Sequence, residues 1–231
     1  MTPTQGGRRT RERSDGEQGA FVELLVGRAV ERCRAVLFDL DGVLVDSTDL
    51  IEDELRRWAG EHGLDPQRVV DLSPGRTNLE LVAEVAPHLD AQAEERLMLE
   101  QEVRSAAGVR ACPGALALVS RLPEQAWAVV TSGNRAVAEA RLRAAGLPVP
   151  RVLVSADDVS AGKPDPEGYL SAARQLRVAP EACVVVEDAV AGLRAAAAAG
   201  VRAVAVERPG APLAAPHAHS VTSLTQVRTS G

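Results

Sequence analysis

Aromatic side chains are scarce in this chain of 231 residues, which has two Trp, one Tyr and two Phe. Proteins that bind single-stranded nucleic acid stack the bases on aromatic rings, so this composition argues against that function. The net charge of -6 leaves no basic patch to neutralise a phosphate backbone. We therefore exclude nucleic acid from the expected partners.

Cysteines and long apolar runs are also few. Cys33, Cys112 and Cys183 are odd in number and irregularly spaced, which predicts neither a disulfide framework nor a thiolate metal site. The most apolar N-terminal segment, residues 21–30, contains Glu23 and Arg28 and does not fit a signal peptide or a membrane span. We therefore expect a cytoplasmic protein with no membrane contact.

The N-terminal 33 residues are interpreted as an extension to the folded protein. Residues 1–18 are rich in Gly, Arg and polar side chains, and we expect them to be disordered. We predict that residues 21–30 form a short amphipathic helix leading into the first strand.

Lysine is nearly missing, because Lys163 is the only one among 26 basic residues. It lies in the turn-rich segment Gly162-Lys163-Pro164-Asp165-Pro166. A compact, strongly hydrated ammonium fits sites that a planar guanidinium does not, which favours a specific role for Lys163. A chance surface lysine is the alternative that this observation leaves open.

What the chain does have is apolar strands that end in polar residues. The strand of residues 35–38 leads into Asp39 and Asp41, and ligands of open parallel sheets bind at the carboxyl ends of strands. Two acids so close together repel each other unless a cation, a shared proton or a basic partner offsets their charge. Turn chemistry would explain Asp41 followed by Gly42 but not Asp39.

A second strand, residues 183–186, leads into Glu187 and Asp188 and then into a predicted helix ending at Gly200. Two strands thus deliver carboxylates to the same edge of the sheet, and carboxylate oxygens suit Mg2+. Helix capping would explain Asp188 alone.

A third strand, residues 126–130, leads into Thr131, Ser132, Gly133 and Asn134 at the start of a predicted helix. Hydroxyls and free backbone N–H groups at such a position can bind phosphate. Simple N-capping is the alternative, because Ser, Thr and Asn are also the usual caps.

In chain order, these motifs resemble those of the haloacid dehalogenase superfamily, over about residues 34–206. The amino-acid sequences of the motifs are similar to those of the sugar-phosphate and glycerol-phosphate phosphatases, and the beta-phosphoglucomutases share most of these residues. The resemblance implies an α/β fold, with a Rossmann-like doubly wound parallel sheet and an inserted small helical cap domain. It places the catalytic core at residues 34–46 and 113–231 and the cap at residues 47–112. Helical spacing of apolar residues in three runs at residues 50–59, 79–85 and 97–103 agrees with such a cap.

The resemblance also implies a role for each motif residue. Asp39 would attack phosphorus and become an aspartyl phosphate, and Asp41 would act as the general acid and base. Mg2+ would be held by the Asp39 carboxylate, the Asp41 backbone carbonyl and Asp188. Glu187 would be a further ligand or would contact the ligands. Thr131 and Lys163 would orient and neutralise the phosphoryl oxygens.

Substrate contacts are expected from the core and from the cap. In the core, the candidates are Ser132 and Asn134. In the cap, the candidate is Arg76 in the turn of residues 72–78, where relatives place a substrate-contacting loop, although this chain has Pro74 and Gly75 where relatives often have His-Gly. A surface position for Arg76 is the alternative.

The expected function is Mg2+-dependent hydrolysis of small phosphorylated sugars or polyols, by a monomer or a weak dimer. A phosphosugar mutase of the beta-phosphoglucomutase type is the alternative, since it would use the same two aspartates. A non-catalytic binding module would not need the complete set of motif residues. A dehalogenase would need neither Asp41 nor the pair Glu187 and Asp188.

Overall fold

A computed structural model describes residues 21–208 and 210–230. The segment 1–18, for which we predict disorder, lies outside the described residues. The strands are β1 (Val22–Val26), β2 (Ala29–Cys33), β3 (Ala35–Phe38), β4 (Val45–Asp46), β5 (Arg110–Ala111), β6 (Trp127–Val130), β7 (Leu153–Val154), β8 (Cys183–Glu187), β9 (Arg202–Val206), β10 (His219–Val221) and β11 (Val227–Thr229). The α-helices are α1 (Thr48–Glu61), α2 (Pro66–Leu72), α3 (Asn78–Val85), α4 (Ala91–Ser105), α5 (Ala115–Val119), α6 (Arg135–Ala144), α7 (Glu167–Leu176) and α8 (Val190–Ala198). None of these helices has the length and apolar character needed to span a membrane.

The core of the fold is a parallel sheet of six strands in the order β10-β9-β8-β3-β6-β7. Val36 and Phe38 of β3 face an apolar cluster that includes α5 and α6, whereas Leu37 faces a second cluster that includes α7 and α8. Successive side chains of a strand point to opposite faces, so a sheet covered on both faces needs strands that are apolar at every position. The predicted α/β fold with a Rossmann-like parallel sheet is therefore confirmed.

Residues 21–30 belong to a β-hairpin, so our prediction of a short helix there was wrong. Strands β1 and β2 pair in antiparallel fashion, with Val26 opposite Ala29 and a turn at Gly27, whose φ is 58°. Strand β1 also pairs with β11, where Leu24 lies opposite Thr229. Alternate residues of β1 are buried, which is the strand period. Pairing with a strand from the far end of the chain decided the structure, and local sequence does not show such pairing.

Helices α1 to α4 pack around their own apolar cluster, which includes Leu55, Trp58 and Leu81. The short strands β4 and β5 pair with each other and flank these helices in the chain. We refer to residues 48–105 as the helical segment. The three predicted helical runs correspond to α1, α3 and α4, whereas α2 is an additional helix that begins at Pro66 behind the N-cap Asp65. The assignment of residues 47–112 to a cap domain stays a prediction.

Candidate active site

The carboxyl ends of β3, β6 and β8 border a cavity of about 1320 Å³. Its walls come from the ends of these strands and from the helical segment. Parallel strands bring their carboxyl ends to one edge, which explains why motifs far apart in the sequence meet here. The cavity is lined by all but one of the predicted site residues: Asp39, Asp41, Arg76, Thr131, Ser132, Lys163, Glu187 and Asp188.

Lys163 lies at the centre of the charged groups. Its Nζ donates to Asp39 Oδ1 at 2.5 Å and to Glu187 Oε1 at 2.6 Å, and its side chain is 8% exposed. Burial alone would lower the pKa of Lys163, but the carboxylates of Asp39 and Glu187 outweigh it and raise that pKa well above its usual value. The ammonium therefore stays charged beside Asp39, which excludes the alternative of a chance surface lysine.

The acids around Lys163 carry more negative charge than one ammonium can balance. Carboxylate oxygens of Asp39, Glu187 and Asp188 lie within 4.8 Å of one another. Burial raises the pKa of Asp39 to about 7 against the opposing charge of Lys163. Burial also raises the pKa of Asp188, and the neighbouring carboxylates of Glu187 and Asp39 add to that shift. A divalent cation at this position would offset the repulsion.

Glu187 is fully buried, and both of its carboxylate oxygens accept hydrogen bonds. Oε1 accepts from Lys163 Nζ and from the hydroxyl of Tyr169 at 3.2 Å, and Oε2 accepts from the backbone N–H of Ala189 at 2.7 Å. A side chain at Gly192 would collide with this carboxylate. These contacts hold the Glu187 carboxylate beside Lys163, and a role as a metal ligand stays a prediction.

Asp188 approaches the loop after β3 at Gly42. A Cβ at this glycine would lie 2.1 Å from Asp188 Oδ2, and its φ of 82° is in the left-handed region. Position 42 therefore requires glycine for two reasons, the backbone conformation and the close approach of the carboxylate. This approach brings Asp188 next to the segment that carries Asp39 and Asp41.

Asp41 is held by two residues that the sequence analysis missed. Its Oδ1 accepts from Ser47 Oγ at 2.5 Å and from Arg141 Nη1 at 2.9 Å. Arg141 belongs to α6 and is 2% exposed. Its spacing from the buried residues Val137 and Ala138 places it on the inner face of that helix. This spacing was the signal available in the sequence.

Thr131 and Ser132 differ in their contacts. Thr131 is buried, and its Oγ1 accepts from the N–H of Gly133 at 3.1 Å. Ser132 Oγ donates to the carbonyl of Gly75 in the helical segment at 2.7 Å. Arg76, next in the chain, is exposed and donates from Nη1 to the carbonyl of Leu72. Substrate contacts by Ser132 and Arg76 stay predictions.

Asn134 is the one predicted site residue that does not line the cavity, and its role in substrate binding stays a prediction. Its side-chain amide donates to Asp157 Oδ1 at 2.8 Å. The other oxygen of Asp157 accepts from the backbone N–H of Arg135 at 2.7 Å, at the start of α6. Asn134 therefore anchors the loop after β7 against α6.

Comparison with known proteins identifies the class of protein to which this fold and this site belong. Residues 33–200 match the family of haloacid dehalogenase-like hydrolases, and the chain belongs to that family. It is 44% identical over 183 residues to hexitol phosphatase A from Escherichia coli, covering 77% of this chain and 85% of that protein. It is 36% identical over 178 residues to validoxylamine A 7'-phosphate phosphatase from Streptomyces hygroscopicus, covering 73% and 83%.

A further relative and a solved structure agree with this assignment. Glycerol-1-phosphate phosphohydrolase 2 from Saccharomyces cerevisiae is 32% identical over 188 residues, covering 76% of this chain and 75% of that protein. The crystal structure of CbbY from Rhodobacter sphaeroides in complex with phosphate has a TM-score of 0.70 at 27% identity, and covers 83% of this chain and 95% of that chain. The predicted branch of sugar-phosphate and glycerol-phosphate phosphatases is confirmed. The protein is a phosphoric monoester hydrolase.

Proposed function

We propose that this protein is a Mg2+-dependent phosphatase that acts on small phosphorylated sugars or polyols through an aspartyl-phosphate intermediate. The observation that carries this proposal is the contact between Lys163 and Asp39, in which the only lysine of the chain donates to a carboxylate that lines a large cavity. Relatives named as phosphatases of a hexitol, of validoxylamine 7'-phosphate and of glycerol 1-phosphate support the substrate class.

In the first step, a carboxylate oxygen of Asp39 attacks the phosphorus, forming an O–P bond as the bond from phosphorus to the alcohol oxygen breaks. Asp41 gives its proton to the leaving oxygen, so the alcohol departs neutral. Lys163 and Thr131 orient and stabilise the phosphoryl oxygens. Positioning and charge stabilisation supply most of the catalysis in phosphoryl transfer.

In the second step, Asp41 takes a proton from a water molecule, and the resulting oxygen attacks the phosphorus of the aspartyl phosphate. The bond between phosphorus and Asp39 breaks and inorganic phosphate forms. Asp41 is then protonated and Asp39 is a carboxylate, as at the start. The bond from Arg141 Nη1 to Asp41 Oδ1 holds this carboxyl group in place for both steps.

The chemistry of the donor set fits Mg2+, which prefers carboxylate and carbonyl oxygens. The closely spaced carboxylates of Asp39 and Asp188 would hold it together with the backbone carbonyl of Asp41. Glu187 would contribute as a further ligand or through Lys163. When bound, the cation supplies positive charge that stabilises the phosphoryl group.

The helical segment is proposed to act as a cap over this site. It contributes to the cavity wall and contacts the core through Gly75, whose carbonyl accepts from Ser132. A cap in this position excludes water during formation of the aspartyl phosphate and contacts the rest of the substrate.

The test is release of inorganic phosphate from a panel of hexitol, sugar and glycerol phosphates, with and without Mg2+. We expect release that depends on Mg2+ and is lost in Asp39→Asn. Failure of the wild-type protein to release phosphate from any member of the panel would contradict the proposal. Product analysis also tests the mutase alternative, because a mutase converts one phosphosugar isomer into another and releases little phosphate.

A further inference from the structure

The carboxylate of Glu80 joins the helical segment to the loop that carries Lys163. Glu80 is in the first turn of α3, where its Oε2 accepts from the N–H of Thr77 at 2.9 Å and Thr77 Oγ1 accepts from the N–H of Glu80 at 3.2 Å. These two bonds form a capping box. The remaining oxygen, Oε1, accepts from the N–H of Gly162 at 2.8 Å. One carboxylate thus caps a helix and binds the residue before Lys163.

Two glycines near Glu80, Gly162 and Gly75, allow the helical segment and the core to approach closely. A Cβ at Gly162 would lie 2.4 Å from Glu80 Oε2, so a side chain there would displace the Glu80 carboxylate from this position. Gly75, with a φ of 83°, passes equally close to the core, because a Cβ there would lie 2.4 Å from the Cβ of Ala191 and 3.5 Å from that of Lys163. The turn before α3 therefore lies directly against the loop of Lys163.

We propose that Glu80 is a positioning residue that couples the position of the helical segment to the placement of Lys163. The inference rests on the proposed phosphatase function. Asp39 and Glu187 hold the ammonium end of Lys163, and Glu80 fixes the backbone at the residue before it. Movement of the helical segment away from the core breaks the bond to Gly162, and the loop then loses a charge-assisted hydrogen bond.

The bond from Gly162 matters because catalysis depends on small displacements. Misplacement of a catalytic group by about 1 Å can cost about 100-fold in rate. Because the ammonium is aligned only when the helical segment contacts the core, the site is fully active only when closed. The aspartyl phosphate then forms in a site from which bulk water is excluded. Glu80 acts through the loop and need not touch the reacting atoms.

The test compares Glu80→Ala, which loses both acceptor oxygens, with Glu80→Gln, which keeps one. We expect kcat for the best substrate to fall about 10- to 100-fold in Glu80→Ala, with a smaller fall in Glu80→Gln. KM should change by less than about threefold, because an effect confined to the transition state lowers kcat. Hydrogen exchange of the peptide covering residues 160–168 should become faster in Glu80→Ala.

Asp90→Ala is the matched control. Asp90 caps α4 by accepting from the N–H groups of Gln92 and Ala93, and it does not line the cavity. Its loss should lower the melting temperature as loss of a capping residue does, with normal kcat and normal exchange in residues 160–168. The inference is overturned if Glu80→Ala keeps kcat within about twofold of wild type, or if exchange of residues 160–168 is unchanged. A wild-type protein that releases no phosphate contradicts the proposed function instead, and the exchange measurement still reports whether Glu80 holds the loop.

Discussion

Arg141 Nη1 donates to Asp41 Oδ1 at 2.9 Å from a side chain that is almost completely buried. The same guanidinium also acts on Glu102 of the helical segment, because its positive charge opposes the rise in the pKa of Glu102 that burial causes. A buried guanidinium that pairs with a carboxylate fixes its position as well as its charge. The structure therefore indicates that Arg141 holds the carboxyl group that we propose as the general acid and base.

Arg141→Lys should weaken hydrolysis in a way that depends on the leaving group. The ammonium keeps the charge but not the fork geometry, so Asp41 is held less well. We expect kcat/KM for an alkyl phosphate to fall about 10- to 100-fold, since general acid catalysis contributes at least about this much. Release of a nitrophenol from an aryl phosphate in the first turnover should fall much less, because that leaving group needs no proton.

Arg143→Lys is the control for this experiment, because Arg143 lies on the same helix with a side chain that is 64% exposed. This exchange should leave hydrolysis of both the alkyl phosphate and the aryl phosphate unchanged. An equal loss for the alkyl and aryl phosphates in Arg141→Lys would show a general structural effect and contradict the positioning of Asp41.

Asp39→Asn should abolish turnover and leave the fold intact. The amide is nearly isosteric with the carboxyl but cannot attack phosphorus. We expect kcat to fall at least about 100-fold, as measured by phosphate release, with cooperative thermal unfolding preserved. Asp49→Asn, at an exposed position outside the cavity lining, should behave as wild type. Turnover of the Asn variant above about one percent of wild type, beyond deamidation, would rule out covalent catalysis by Asp39.

Lys163→Arg should also impair activity strongly, although the charge is kept. The ammonium lies between Asp39 and Glu187 and 5.4 Å from the ring centre of Tyr169. A planar guanidinium does not fit this buried position as a point donor. We expect kcat to fall about 100-fold or more. The control is Arg174→Lys, which exchanges the same two residue types in the opposite direction at an exposed position of α7. Normal kinetics of Lys163→Arg would show that geometry at this lysine does not matter.

Arg76→Ala tests whether the helical segment contacts the substrate beyond its phosphate. If it does, the ratio of kcat/KM for the best sugar phosphate to that for a small aryl phosphate should fall, because the aryl phosphate lacks the part that is contacted. Arg68→Ala, at an exposed position of α2 outside the cavity lining, should leave the ratio unchanged. An unchanged ratio in Arg76→Ala would mean that the guanidinium only binds the carbonyl of Leu72.

The convergence of Asp39, Thr131, Lys163 and Asp188 could be predicted from the sequence. Asp39, Thr131 and Asp188 each follow an apolar strand, and parallel strands present these ends at one edge. That argument needs only local sequence and one rule of topology. Lys163 lies in a turn-rich segment after β7, and its place at the site was implied by the family resemblance.

Features that depend on distant contacts could not be predicted in the same way. Arg141 meets Asp41 across 100 positions of sequence, and local sequence does not show which residue the inner face of a helix contacts. Asn is a common residue type at phosphate-binding and helix-capping positions. The side chain of Asn134 instead binds Asp157, which lies in the loop after β7 and could not be paired with it from local sequence. The hairpin of residues 22–33 depends on its pairing with β11.

Mg2+ should stabilise the protein more at about pH 8 than at about pH 5.5, because ligands must be deprotonated to bind metal. Burial raises the pKa of Asp39 to about 7 and also raises that of Asp188. Without metal, the folded state holds these protons more tightly than the unfolded state, so their contribution to stability falls as pH rises, for Asp39 between about pH 4 and about pH 7. Bound Mg2+ offsets this loss, and the melting temperature with and without Mg2+ measures it. Asp188→Asn should abolish the Mg2+-induced shift at pH 8, whereas Asp49→Asn should keep it. A shift equal at both pH values would contradict binding to these carboxylates.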